Sequence, residues 1–526
     1  MLSSPRKIIV LFLLLAALGI LSFQYRYGIG VTPDSALFES AANSLLTGNG
    51  LTTDIDGIRS PLTHHPPLYP ALLAVGKEIS GSFLTAATAI NFISFLSCVL
   101  GMYMFARRNA PPGWAIAAVL LLVCSTALYS VDYILGTDGL AIPFMLAGMY
   151  GLSEFERTKS PRSLVLAGLA LSAATLTRYA YVAFIPAGCL VILVDEDLSL
   201  LKRLRSLVLL GAFACGPILL VMLHNVVEGG SATNRTLTPH LVSPSRLFEG
   251  ADYLSSWLLP YRFPVALRTL ALGAVVALGI VLAIRSPLKN ALRITTLSLF
   301  GYVILLLVSI SLVDTATPLD ERLLAPVVVI LCLHLTLISS WLWTTRSRLL
   351  AACAGFLVLT PCCVGMMHLL PETAALYKHK DQGRSLAELR DDFRDILPAL
   401  DKLPADAPIY SNVAKEIYLV SGRQARDLPT TKGYTDGRPR TEAEISAQVR
   451  DLKKEITRSN GLVIFDLRPK TLFDQSLIGR NELSQRISLE EVLQSPGFAV
   501  YKERGVTPTT ARGAAMAAGT SVAIGR

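Results

Sequence analysis

Long apolar runs separated by short polar loops fill the first two thirds of the chain, and then the pattern changes. The runs lie at roughly 8–24, 83–106, 113–131, 136–153, 163–178, 180–195, 206–225, 264–284, 293–313, 323–343 and 348–368. Each is near the ~20 residues that a helix needs to cross a bilayer. The pattern therefore predicts an α-helical polytopic membrane protein of about eleven transmembrane helices. A further apolar stretch, 67–79, is too short to cross easily and is expected to lie at the membrane interface. Beyond the last run the chain becomes charged and loses its long apolar segments. There PIYSN, GLVIFDL and GFAVYKE read as buried strands, while 385–397, 441–458 and 488–494 read as helices. Three regions are expected. Residues 1–368 form a transmembrane domain with a first outer loop 25–82, residues 369–505 a small α/β domain, and residues 506–526 a disordered low-complexity tail.

Composition supports the membrane reading: 52% of residues are hydrophobic, 17% are charged, and mean hydropathy is +0.50. The formal charge of +9 suggests a nucleic-acid partner at first sight, but its placement argues against one. Arg6/Lys7, Arg107/Arg108, Arg157/Lys159/Arg162, Lys202/Arg203/Arg205, Arg285/Lys289/Arg293 and Arg346/Arg348 all sit in loops that fall on one side of an eleven-span protein. Cytoplasmic loops carry such an excess. The opposite face receives the first loop, the turn 132–138, the tip near 178–179, the loops 226–262 and 314–322, and everything after 367. All eight cysteines lie in apolar runs, and no C-x-x-C spacing occurs, so neither a disulfide framework nor a thiolate metal site is indicated.

The outer face gathers the candidate chemistry. The segment 32–70 reads TPDSALFESAANSLLTGNGLTTDIDGIRSPLTHHPPLYP. Thr32 and Pro33 open a helix well, which places Asp34 in a first turn whose dipole favours a carboxylate. Asp34 can serve only that helix, or act as a general base or metal-held carboxylate. Asp54 and Asp56 imitate a D-x-D metal motif but read better as a solvated turn. His64 and His65 could bind phosphate or metal; being adjacent, at most one is expected to face a site. Glu39 is off the Asp34 face and is expected to be solvated. Arg59 and Tyr69 complete the first-loop candidates. Asp132 and Asp138 bracket a tight outer turn, where ionisable groups are costly unless they face water or a partner. Arg178 either snorkels or grips an anion. Arg322, at the outer end of a span, suits a lipid phosphate, or else pairs with Glu321 or Asp320.

Several of these segments, in this order, resemble the C-type (GT-C) glycosyltransferases, nearest the protein mannosyltransferase and aminoarabinose lipid A transferase branch. They are the acidic residue opening the first-loop helix, HHPPLYP, GTDGLAIPFML, LTRYAYVAF and ERLLAPVVVIL. The resemblance covers about 30–340. It implies a polyprenyl-phosphate-linked sugar donor, transfer outside the cytoplasm with inversion, and a lipid, glycan or protein acceptor. It also implies a hexosyl- or pentosyltransferase of the cell envelope, in a bacterial inner membrane, with the C-terminal domain extracytoplasmic. By the same resemblance Asp34 stands for the family's first-loop catalytic aspartate and Arg322 for a basic residue at the donor phosphate. Ser35 replaces the glutamate usual in protein mannosyltransferases, which weighs against a protein acceptor and a two-carboxylate metal site. No redox or nucleotide cofactor is implied; a divalent cation on Asp34 or His65 is the one cofactor left open. Two other readings compete: a transporter or lipid flippase, which would place polar residues mid-membrane in two related halves, and a non-catalytic assembly or sensor protein.

Overall fold

The computed structural model describes residues 15, 19 and 28–504, except 236, 314–318, 346, 377–383, 405, 434–437, 460 and 469–475. The expected first span and the expected disordered tail fall largely outside these residues. The described chain forms two compact units, divided between Asp391 and Asp392.

The first unit begins with β1 (Gly30–Val31), α1 (Pro33–Leu46), the short hairpin β2 (Thr52–Thr53) and β3 (Ser60–Pro61), and α2 (Leu68–Ser80). The long helices follow: α3 (Phe83–Asn109), α4 (Pro112–Val123), α5 (Thr126–Asp132), α6 (Asp138–Thr158), α7 (Pro161–Thr177), α8 (Phe184–Leu193), α9 (Leu200–Gly229), α10 (Pro244–Leu258), α11 (Val265–Arg285), α12 (Lys289–Leu312), α13 (Glu321–Thr344) and α14 (Arg348–Leu376). After them β4 (Arg384–Ser385) returns to pair antiparallel with β1. Among the described residues six helices are long and apolar enough to cross a membrane, or seven if the bent α4–α5 pair counts as one span. The chain is thus an integral membrane protein. At 13 residues, α2 is about 20 Å long, well short of a ~30 Å hydrocarbon core.

The middle of the bundle is α13, which is apolar on every side and enclosed by other helices throughout. Its one histidine, His334, is fully buried and hydrogen-bonded to Thr295 of α12 (Nδ1 to Oγ1, 3.0 Å). The imidazole lies against Gly279 of α11, where a Cβ would come within 1.7 Å of Nε2. Glycine there is what allows α11 to close on α13.

The second unit carries a five-stranded sheet in the order β6-β5-β7-β9-β8. Its strands are β5 (Ile409–Ser411), β6 (Arg426–Asp427), β7 (Leu462–Asp466), β8 (Leu489–Gln494) and β9 (Phe498–Glu503). The β5 pairings are parallel, and those of β9 antiparallel. The core is Val449, Leu452 and Ile456 of the helix Glu442–Ser459 packed on Val463, Phe465 and Ala499. One expectation is overturned: 488–494 is not a helix but the edge strand β8. Its sequence LEEVLQ has glutamates that favour a helix locally, yet pairing with β9 decides the outcome. Exposed glutamates on an edge strand also discourage further pairing.

Candidate active site

Local sequence builds the first wall of the site. Pro33 starts α1, and Ser35 closes its first turn by accepting from the Thr32 amide at 2.9 Å. The same Ser35 hydroxyl donates to the Leu135 carbonyl at 2.7 Å, a buried bond between residues 100 apart in sequence. Gly30 reinforces this join, its amide donating to the Tyr133 carbonyl and its carbonyl accepting from Leu135, at 2.9 and 2.8 Å. A side chain at Gly30 would strike the Tyr133 ring, 2.6 Å from an added Cβ. The first outer loop is thereby fastened to the turn that precedes α6, and Asp34 and Asp138 are brought to one place.

Asp34 is half-exposed and lies 3.9 Å from His65 (Oδ1 to Nε2). The His65 ring packs edge-on against Phe38 and against His64, each at 5.0 Å between centroids. Burial lowers the His65 pKa to about 4; Asp34 pulls it the other way, and His64, Arg235 and Arg178 add to the lowering. Burial thus favours the neutral imidazole, whose Nε2 faces the Asp34 carboxylate from beyond hydrogen-bond distance.

Facing this pair, Arg178 at the end of α7 forms an ion pair with Asp138 at the start of α6. Arg178, Arg322, Asp320 and Asp34 all lie within electrostatic reach of Asp138. Arg322 sits in the first turn of α13, its Nε 3.4 Å from Asp320. Asp320 also caps that helix by accepting from the Leu323 amide at 3.0 Å. Of the two partners expected for Arg322, the structure selects Asp320. Tyr302 secures the same helix start, its hydroxyl donating to the Leu323 carbonyl at 3.1 Å.

Other candidates lie elsewhere. Tyr69 is fully buried beneath Phe38, where it packs as core. Asp132 is buried near Cys98 and Tyr129, its carbonyl accepting from Asn91. Arg59 is exposed in the segment joining β2 and β3. Glu321 turns into a different recess, with Trp257 and His368. Asp54 accepts from the Ser40 hydroxyl at 2.8 Å, and Asp56 from the Ile58 amide at 3.1 Å, so both organise loop turns. Glu39, expected to be solvated, is partly buried; desolvation pushes its carboxyl up against the pull of Lys77 and Arg390. Sequence reasoning missed Asp320 as a capping partner and Arg235, which acts on His65 and on Tyr179. An Arg within the outer loop 226–262 was the available signal. Among the described residues no three His, Cys, Asp or Glu side chains stand together as a metal shell.

Residues 64–220 match the family described as dolichyl-phosphate-mannose-protein mannosyltransferase. No curated protein sequence is similar enough to match. Among solved structures, the chain is similar to ArnT from Cupriavidus metallidurans bound to undecaprenyl phosphate: TM-score 0.60, 15% identity, covering 94% of this chain and 97% of that one. It is also similar to the oligosaccharyltransferase AglB from Archaeoglobus fulgidus in complex with an inhibitory peptide and a dolichol-phosphate: TM-score 0.51, 13% identity, covering 96% of this chain and 75% of that one. At such identities the likeness is one of fold. The architecture is that of the C-type membrane glycosyltransferases, as the sequence resemblance implied.

Proposed function

We propose that this chain, which carries the C-type glycosyltransferase fold, moves a sugar from a polyprenyl-phosphate donor to an acceptor outside the cytoplasm, with inversion. The observation that carries this reading is the meeting of Asp34, Asp138, Arg178 and Arg322 at one end of an apolar bundle. A lipid-linked donor matches such a place: its tail prefers the bundle and bilayer, while phosphate and sugar need polar groups at the interface. The undecaprenyl phosphate held by the similar ArnT structure supports the donor class.

In the proposed reaction Asp34 accepts the proton of the acceptor hydroxyl as its oxygen attacks the anomeric carbon. The bond from that carbon to the phosphate oxygen breaks on the opposite face, so polyprenyl phosphate leaves with the bonding pair and the configuration inverts. Arg322 binds the phosphate and stabilises it as its charge grows. Arg178, already balanced by Asp138, helps to keep the site electrostatically neutral before the phosphate enters. Should a divalent cation take part, Asp34 and His65 are the side chains that would hold it, with water and the donor phosphate completing its shell.

Asp34→Asn tests the reading. It keeps size and helix-start competence while removing the base, so transfer from a radiolabelled polyprenyl-phosphate sugar should fall about 10²–10⁴-fold. Undecaprenyl phosphate binding and thermal stability should persist. Near-normal turnover would leave Asp34 a structural residue.

A further inference from the structure

The Ser35–Leu135 bond fastens the helix that carries Asp34 to the turn before α6. A second join flanks the site on the side of Arg178 and His65. Tyr179 directly follows Arg178 and opens a short 3-10 turn, Tyr179–Ala183. Its hydroxyl donates to the Thr63 carbonyl at 3.4 Å, across 116 positions of sequence. Thr63 is buried and stands two residues before His65. The third member is Asn225, a buried residue near the outer end of α9. Its side-chain amide donates to the Tyr179 hydroxyl at 3.4 Å and to the Ala232 carbonyl at 2.9 Å. An amide buried in an otherwise apolar membrane helix is costly unless it is paired. Here both partners lie beyond the helix, one in the turn that follows it and one beside the site.

Direct contact backs these hydrogen bonds. A Cβ added to Gly229, the last residue of α9, would come within 2.9 Å of the Thr63 methyl group and 3.4 Å of Pro61 Cβ. Glycine there lets the tip of α9 rest on the loop that carries the histidines. Pro61, Pro66 and Pro67 stiffen that loop on both sides of His64 and His65, since each ring fixes its own φ and restricts the residue before it. A displacement at Thr63 is therefore passed on to His65 rather than absorbed.

We propose that Tyr179 and Asn225 are positioning residues for sugar transfer. Linked between α9 and Thr63, they hold the Asp34–His65 side of the site at a fixed setting against Arg178 and Asp138. This rests on the reading of Asp34 as the base. Neither side chain has to touch the reacting atoms. The acceptor oxygen must be held within about 3–3.5 Å of the anomeric carbon and in line with the bond that breaks. Arg322 supplies the grip on the phosphate from the start of α13. Losing the second join thus spares donor binding and takes away alignment.

The test follows consumption of radiolabelled undecaprenyl-phosphate mannose, glucose, galactose and arabinose by the full-length protein in membranes, together with its melting temperature in detergent. Tyr179→Phe keeps the ring and removes the link, so kcat should fall about 3- to 10-fold at unchanged donor KM. Asn225→Leu should do the same, and neither variant should melt lower than the wild type. The double variant should lose no more than the larger single loss, because either change breaks the same link. Wild-type turnover by Tyr179→Phe overturns the proposal. So does a loss that appears in donor KM or runs with a fall in melting temperature, as a purely structural role would give. Losses that multiply in the double variant overturn it as well. Failure of the reaction itself has a separate signature: the wild type would consume none of the four lipids, or Asp34→Asn would turn over like the wild type, and the positioning role would fall with it.

Discussion

The two units use the same charged side chains to opposite ends. In the second unit Arg486 reaches Glu442 and Glu482, Arg426 reaches Glu455, and Arg468 reaches Asp466 and Asp392, largely near the surface. Those pairs are spread over the unit, and apart from Arg468–Asp466 most have a partner well open to water. In the first unit Asp34, Asp138, Asp320, Arg178 and Arg322 crowd into one partly buried place at the bundle's end. Water screens the first arrangement, so its pairs contribute little. The second sets desolvation against attraction, and a chain keeps such a cluster when something is gained from it. Depth and convergence, rather than residue type, mark the site.

Breaking the cluster should therefore cost far more than breaking a surface pair. Arg178→Met leaves Asp138 as an uncompensated buried carboxylate and should destabilise the protein by on the order of 3 kcal/mol, read as a lowered melting temperature in detergent. Restoring neutrality with Asp138→Asn in the same chain should recover much of it. A double variant as unstable as the single one would mean that the pair is not what Arg178 serves.

Arg322→Ala should weaken use of a polyprenyl-phosphate sugar about 10- to 100-fold, with little change in dependence on acceptor. Arg322→Lys keeps the charge without the planar fork and should fall between. Unaltered steady-state donor constants in the alanine variant would remove Arg322 from the phosphate.

The histidine supplies a pH test. Its folded pKa of about 4 lies below its ordinary 6.5, so between these values the unfolded chain binds more protons than the folded one. Stability is then complete above about pH 6.5 and falls as pH drops towards 4, by up to about 3 kcal/mol. Melting temperatures from about pH 7 to about pH 4.5 should decline less steeply for His65→Gln. Parallel slopes would show that His65 does not titrate in this window. The smallest effect belongs to the second unit. Arg486→Ala, removing the pairs with the more exposed Glu442 and Glu482, should lower the melting temperature only slightly and leave transfer unchanged.

Much of this was legible in the sequence for a physical reason. Burial in a bilayer is written one residue at a time, so hydropathy runs alone located helices such as Phe83–Asn109 and Glu321–Thr344. Helix starts are also local, and Thr32-Pro33 placed Asp34 in a first turn without reference to the rest of the chain. Which charges meet is not local. Only the tertiary fold joined Ser35 to Leu135, Asp138 to Arg178 and His65 to Asp34. It also sank Tyr69 into the core and gave Arg322 to Asp320 while turning Glu321 away. The strand Leu489–Gln494 carries the same lesson in the second unit, since its glutamates favour a helix and pairing with β9 overrules them. The sequence by itself determined where the membrane helices run and where the first carboxylate stands, because those depend on neighbours in the chain. The tertiary structure decided the partners, because contacts between residues 40 or 100 apart depend on how the helices pack.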